Sequence, residues 1–272
     1  MRGGGERGRL PAAGVAALPA LAAAAHIVSA ASWLAGPRRA WLPALSGVGS
    51  PDHVALTFDD GPDPRSTPAF LAALDELGVR ATFFLVGEQV VCHRRLSDDI
   101  ARGGHELAVH GWTHNRPWRP APVRETRRLA RAALAVAEVS GGAPTWYRPP
   151  YGILTGDRLL AARRTGLRPV LWTAWGRDWT AHATAESVAA TVLPDLRGGG
   201  TVLLHDTDLH ATPGCWRAAL AALPLLVGAC RSAGLTVGPL GEHGVASRAA
   251  GARGVRAVAA GVTSRWSGVG LP

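Results

Sequence analysis

Between Pro51 and Leu240 the chain changes period repeatedly. Short apolar runs alternate with longer stretches patterned as helices. Seven runs read as strands: VALTF, TFFLV, ELAVH, TWYRP, PVLWTA, TVLLH and LTVGPL. Seven strands alternating with helices imply parallel βα units. The closed solution is an α/β (β/α) barrel, complete or missing one unit. The open solution is a doubly wound sheet. No internal repeat is evident.

Helix signals fall between the runs. STPAFLAALDELG has Ser66 or Thr67 as N-cap, Pro68 in the first turn and Gly78 as its stop. TPGCWRAALAALPLLVGACRSAG reads the same way, from Thr212-Pro213 to Gly234. Residues 122–139 and 184–193 are also helix-like.

The two ends differ from this middle. Arg2, Arg7 and Arg9 precede an Ala/Leu/Val-rich run from Leu10 to Leu34, and Arg38 and Arg39 follow it. A positive leader before an apolar run is the pattern of an export signal or a single membrane anchor. The tail from about Gly244 is rich in Ala, Gly and Arg without a sustained period, and is expected to be loosely held. The chain therefore divides into a leader or anchor with linker (1–50), a folded domain (51–243) and a basic tail (244–272). The 272 residues carry a net charge of +9, and all 29 basic residues are arginine. That charge permits attraction to anionic polymers. There is no basic stripe interleaved with aromatics, so nucleic-acid binding is not expected. Cys92, Cys215 and Cys230 are an odd number without paired spacing, which argues for neither a disulfide framework nor a thiolate metal site.

Catalytic groups in βα folds gather where strands end. The first strand ends in Asp59 and Asp60, followed by Gly61-Pro62. Alone, Asp-Asp-Gly-Pro reads equally well as capping. The third strand ends in HGWTH, with His110 and His114, and the fourth in RPPYG, Arg148 to Gly152. The fifth leads into WGRDW, with Asp178 and Trp179, and the sixth into LLHD, with His205 and Asp206. Polar groups at five strand ends would form a ring on one face of a barrel. His110 and His114, at i and i+4, would share one face if HGWTH were a helical turn. With Asp59 or Asp60 as third ligand they would hold a zinc-like ion with a position open for water.

TFDDGP, HGWTH, RPPYG and LLHD, in this order, resemble the motif series of the polysaccharide deacetylases, carbohydrate esterase family four, over residues 53–241. The resemblance implies a distorted, seven-stranded (β/α) barrel. It implies a hydrolase that removes N-acetyl groups from amino-sugar polymers, peptidoglycan or chitin-like glycans, with a divalent ion, zinc, as cofactor. Asp60, His110 and His114 become the metal ligands and Asp59 the general base. Arg148 would pair with Asp59, and Tyr151 would offer its backbone N–H to the oxyanion. His205 would be the general acid, and Asp178 would orient Arg148 or His205. Such an enzyme would sit in the cell envelope, exported or anchored with its catalytic domain outside. Other readings are an amidohydrolase for a non-sugar amide, or a catalytically silent carbohydrate-binding protein.

Two departures from the family pattern stand out. Gly111 replaces a Ser or Thr whose hydroxyl helps fix the loop around the second histidine, which implies weaker metal affinity. WGRDW puts Trp175 in the place of an Asp and Arg177 before Asp178. Trp172, Trp175 and Trp179 could stack on sugars, although at least two are expected in the core. Asp206 is expected to be no more than a cap.

Overall fold

The computed structural model describes residues 24, 26, 27, 29–117 and 119–245. The body of the expected leader and nearly all of the basic tail lie outside the described residues.

Among the described residues, eight strands form one parallel sheet: β1 (His53–Asp59), β2 (Thr82–Leu85), β3 (Glu106–Val109), β4 (Trp146–Tyr147), β5 (Arg168–Pro169), β6 (Ala174–Trp175), β7 (Thr201–His205) and β8 (Thr236–Gly238). Seven lie in the order β5-β4-β3-β2-β1-β7-β6, and β8 adds to β1 off this path. With helices between its strands, the sheet curls into the expected distorted (β/α) barrel. The helices are α1 (Ala35–Trp41), α2 (Thr67–Glu76), α3 (Gly87–Cys92), α4 (Arg94–Arg102), α5 (Pro122–Ser140), α6 (Gly156–Thr165), α7 (Ala185–Val192) and α8 (Trp216–Ser232).

Every residue of β1 is buried, and its two faces serve different cores. Val54, Leu56 and Phe58 pack outward beneath the helices, where Phe58 meets Phe70 and Phe83 with ring centroids 5.2 and 5.0 Å away. Ala55 packs on the other face with Phe84, Ala108, Trp146 and Val170. Strand alternation therefore sends Thr57 and Asp59 into the barrel interior. The helices close the outer core with apolar stripes. On α5, Leu129, Ala132, Val136 and Val139 are buried at three- to four-residue spacing. Burying each of its leucine and valine side chains contributes about 1.5–3 kcal/mol, and Val136→Asp would break this contact.

Two expectations need correction. PVLWTA is not one strand. It splits into β5 and β6 because Leu171 donates its N–H to Leu45 O, while Arg148 takes the carbonyls of Val170 and Leu171. The backbone there serves the barrel interior and the N-terminal segment instead of a ladder. The last long helix begins at Trp216 and not at Thr212. Gly214 has φ +81, a left-handed turn that interrupts any earlier start.

Candidate active site

At the end of β1, Asp59 is in register with His205 on β7. Asp59 points inward, and Asp60 would point away if the strand continued. It does not, because Asp60 has φ +82. Aspartate tolerates this left-handed region better than most residues, and the turn re-aims its carboxylate. Gly61 is required next, since a Cβ there would lie 2.5 Å from Asp206 Oδ2.

Asp59 Oδ1 accepts a hydrogen bond from Arg148 Nη1 at 2.7 Å. Arg148 is fully buried and also donates to Thr57 Oγ1 at 2.8 Å and Leu171 O at 3.0 Å. Burial pulls the guanidinium pKa down, and the Asp59 carboxylate opposes that pull. Asp60 Oδ1 faces His110 Nε2 at 3.2 Å and His114 Nε2 at 3.3 Å. Burial would raise the Asp60 pKa, but His110, His205 and His114 together hold it well below the usual carboxylate range. The His114 ring contacts that of Tyr151 (centroids 4.3 Å apart) and stacks on that of His210 (4.1 Å, planes 10° apart). Burial pushes His114 down to about 3, against the pull of Asp60. Its ring is therefore neutral at neutral pH, with a lone pair free to ligate.

His205 has the opposite character. Asp178 Oδ1 lies 3.0 Å from His205 Nδ1, and Asp178 Oδ2 accepts from the His205 backbone N–H at 2.7 Å. Burial disfavours the imidazolium, but Asp178, Asp60 and Asp59 outweigh it and raise the pKa to about 10. With Nδ1 held by Asp178, Nε2 is the nitrogen left for the cavity.

Asp60, His110 and His114 pass a direct test as a cation site. Their ligand atoms lie within 4.8 Å of one another. Asp60 Oδ1 is buried without a well-directed hydrogen-bond donor. Its 3.2 and 3.3 Å separations from the two ring nitrogens match the edge of a ligand tetrahedron around zinc, about 3.3 Å for metal–ligand bonds of roughly 2.0 Å. A divalent ion fits this set.

Asp59, Asp60, His110, His114, His205 and His210 line one cavity of ≈ 570 Å³, with Tyr151 and an aromatic wall of Trp33, Trp172, Trp175 and Trp179. That volume is in the range of small-ligand sites. Only Trp172 of the three expected tryptophans is buried; Trp175 and Trp179 are half-exposed on the wall, so the expectation of two in the core does not hold. Asp178 serves His205, which closes the choice the sequence left open. HGWTH is not a helical turn. Gly111 has φ +97, and the loop is held by Gly87 N–H to Gly111 O (2.9 Å) and Glu88 N–H to Trp112 O (3.1 Å). Backbone bonds at the start of α3 thus support the loop where the pattern has a hydroxyl. Asp206 accepts a hydrogen bond from Thr67 and is fully buried, with its pKa pushed up to about 7 by burial. It is a buried carboxylate under the Gly61 turn, not a surface cap.

Three residues escaped the sequence reading. His210 lies five residues beyond His205 and left no motif signal. Trp33 belongs to the run read as a leader. Arg158, inside α6, looks like a surface arginine but is buried. It donates to Pro150 O (3.1 Å), Ile153 O (2.9 Å) and Asn115 O (2.6 Å). These bonds bracket Tyr151, whose φ +61 costs a non-glycine residue about 1–3 kcal/mol.

Comparison with known proteins agrees with this geometry. The pattern of the polysaccharide deacetylase family matches residues 46–170. A chitooligosaccharide deacetylase of Bradyrhizobium sp. (strain ANU 289) is 38% identical, covering 56% of this chain and 70% of that protein. One from Sinorhizobium fredii is 34% identical, over 73% of this chain and 94% of that protein. Among solved structures, the peptidoglycan N-acetylglucosamine deacetylase Bc1960 superposes with a TM-score of 0.67 at 27% identity, covering 75% of this chain and 93% of that one.

Proposed function

The chain belongs to the polysaccharide deacetylase family, hydrolases of amide bonds, and from that premise we propose that it removes acetyl groups from N-acetylated amino-sugar glycans, chitooligosaccharide or peptidoglycan, in a metal-dependent reaction. The observation that carries this reading is the placement, in one cavity, of an arginine-held carboxylate, a two-histidine carboxylate cluster and an aspartate-held histidine.

Asp60, His110 and His114 would hold a divalent ion, zinc in our reading, which when bound supplies Lewis-acid polarisation of the acetamide carbonyl and acidification of water. Asp59 takes a proton from the attacking water. Arg148 occupies Asp59 Oδ1 and so presents the other carboxylate oxygen to that proton. The carbonyl carbon becomes tetrahedral, and the Tyr151 backbone N–H faces the developing oxyanion. His205, kept as an imidazolium by Asp178, gives its Nε2 proton to the amide nitrogen. The C–N bond breaks, leaving acetate and a free amino sugar. No nucleophilic side chain is required.

We place the enzyme in the cell envelope, exported or anchored with its catalytic domain outside. The arginine-led apolar residues before His26 support this; His26 and Trp33, at the end of that run, pack on the catalytic domain instead. Among the described residues, no helix is long and apolar enough to cross a membrane.

The test is acetate release from N-acetylglucosamine oligomers and from peptidoglycan, with added zinc, with a chelator, and with Asp59→Asn. Release that needs the ion and is lost in Asp59→Asn is expected. No release from either polymer by folded, metal-loaded protein would overturn the assignment.

A further inference from the structure

The segment before the family-matched region is built into the site. His26 Nε2 lies 3.1 Å from Pro117 O, and its Nδ1 lies 3.3 Å from Asp157. Further along, Arg39 bonds Asp195 at 3.1 Å and the carbonyl of Thr173. Arg38 is 3% exposed, yet among the described residues it has no carboxylate partner. Its donors go to Ser32 O (2.9 Å) on the segment itself, Trp172 O (2.6 Å) on the barrel and Ser46 Oγ (3.2 Å). Burying an arginine without a counter-ion is costly. Here it joins the backbone of residues 32–33 to the seam between β5 and β6. The segment is thus pinned near Pro117 on one side and at Trp172–Asp195 on the other. Between these pins Trp33 lines the cavity, 52% exposed, edge-on to Trp175 with centroids 6.4 Å apart and planes at 82°.

We propose that His26 and residues 29–42 form a strap that completes the glycan cleft, and that Trp33 with Trp175 binds the pyranose ring neighbouring the one that is deacetylated. This rests on the N-acetylated glycan reading above. A half-exposed indole edge-on to another, in a cavity that also holds the reacting groups, presents an apolar face beside polar groups. The C–H face and hydroxyl rim of a pyranose match that arrangement. Trp41, 79% exposed on the same segment, does not line the cavity and serves as the control.

The experiment uses the full, zinc-loaded chain with N-acetylglucosamine tetramer and monomer. Trp33→Ala is expected to raise KM for the tetramer about tenfold while kcat changes less than twofold. The effect on the monomer should be at least fivefold smaller. Trp33→Phe should restore most of the affinity, and Trp41→Ala should match the parent. Unchanged tetramer KM in Trp33→Ala, or an equal loss on tetramer and monomer, would overturn the strap. If the parent chain released no acetate, the functional reading would fall, and calorimetric titration with the tetramer would decide the strap separately. Binding weakened by Trp33→Ala would uphold it. Equal binding, or none by the parent chain, would overturn it.

Discussion

Replacing Asp178 by Asn keeps the shape of the side chain and removes one charge, 3.0 Å from His205 Nδ1. Asp178 is the nearest of the carboxylates that keep His205 protonated. Burial alone would push this imidazole below its ordinary value, so the raised pKa depends on those carboxylates. Losing an opposite charge at contact distance lowers a pKa by roughly 1–3 units. From about 10, His205 in Asp178→Asn would fall to about 7–9. In the proposed mechanism His205 is the general acid and works only when protonated, so the alkaline limb of activity should move to lower pH by the same interval. A bound cation would depress His205 in both proteins alike, and the difference between them survives. The assay is kcat/KM for an N-acetylglucosamine oligomer across pH 5–10 at saturating zinc, for both proteins. A variant that loses rate uniformly, with its alkaline limb unmoved, would refute the assignment of that limb to His205 and of its tuning to Asp178.

Stability should also depend on pH. His105 and His243 are buried and pushed down to about 4, in both cases chiefly by burial. His243 Nε2 lies 3.1 Å from the carbonyls of Gly47 and Gly199, so it donates there, and its Nδ1 accepts from His53 Nδ1 at 2.8 Å. The neutral ring is therefore the folded form. Its contribution is fully present above the ordinary histidine pKa near 6.5 and is lost as pH falls toward about 4. Urea midpoints of chelated protein should drop across that window, and a flat profile would show that these rings are not buried neutral. Gly111→Ser restores the family's residue but forces φ +97 on a side chain. It should lower stability by about 1–3 kcal/mol in urea unfolding, and a neutral or stabilising result would mean that the loop relaxes to another backbone path.

The strand ends were legible because chemistry there is written in short local words. Asp59-Asp60, His110, His114, Arg148 and His205 each sit within a few residues of an apolar run, and the parallel topology gathers those ends. What stayed hidden depends on contacts distant in sequence. Arg38 looks like the flank of a leader until it meets Trp172, 134 residues away. Arg158 sits on a helix with two more arginines, and nothing local says that it alone turns inward to Asn115 and Pro150. The split of PVLWTA has the same origin, since its period suits a strand. Only the competition of Leu45 and Arg148 for its backbone ends the ladder.

The adjacent carboxylates show how far local and distant information must combine. Two neighbouring aspartates with similar surroundings would repel, and one would tend to hold a proton. The fold gives them different surroundings. Strand alternation places Asp59 against a buried arginine contributed by β4's end, and a left-handed φ turns Asp60 toward two imidazoles from the loop after β3. One carboxylate is held by a permanent cation, which leaves one oxygen for a proton. The other faces His110 and the neutral ring of His114, which leaves a negative charge that a divalent ion would offset. Changing Arg148 or His114 therefore acts on different aspartates. Arg148→Met should cost activity without loss of bound metal, and His114→Ala should cost metal first. A metal assay on the two variants separates the roles, and equal metal loss in both would contradict the division.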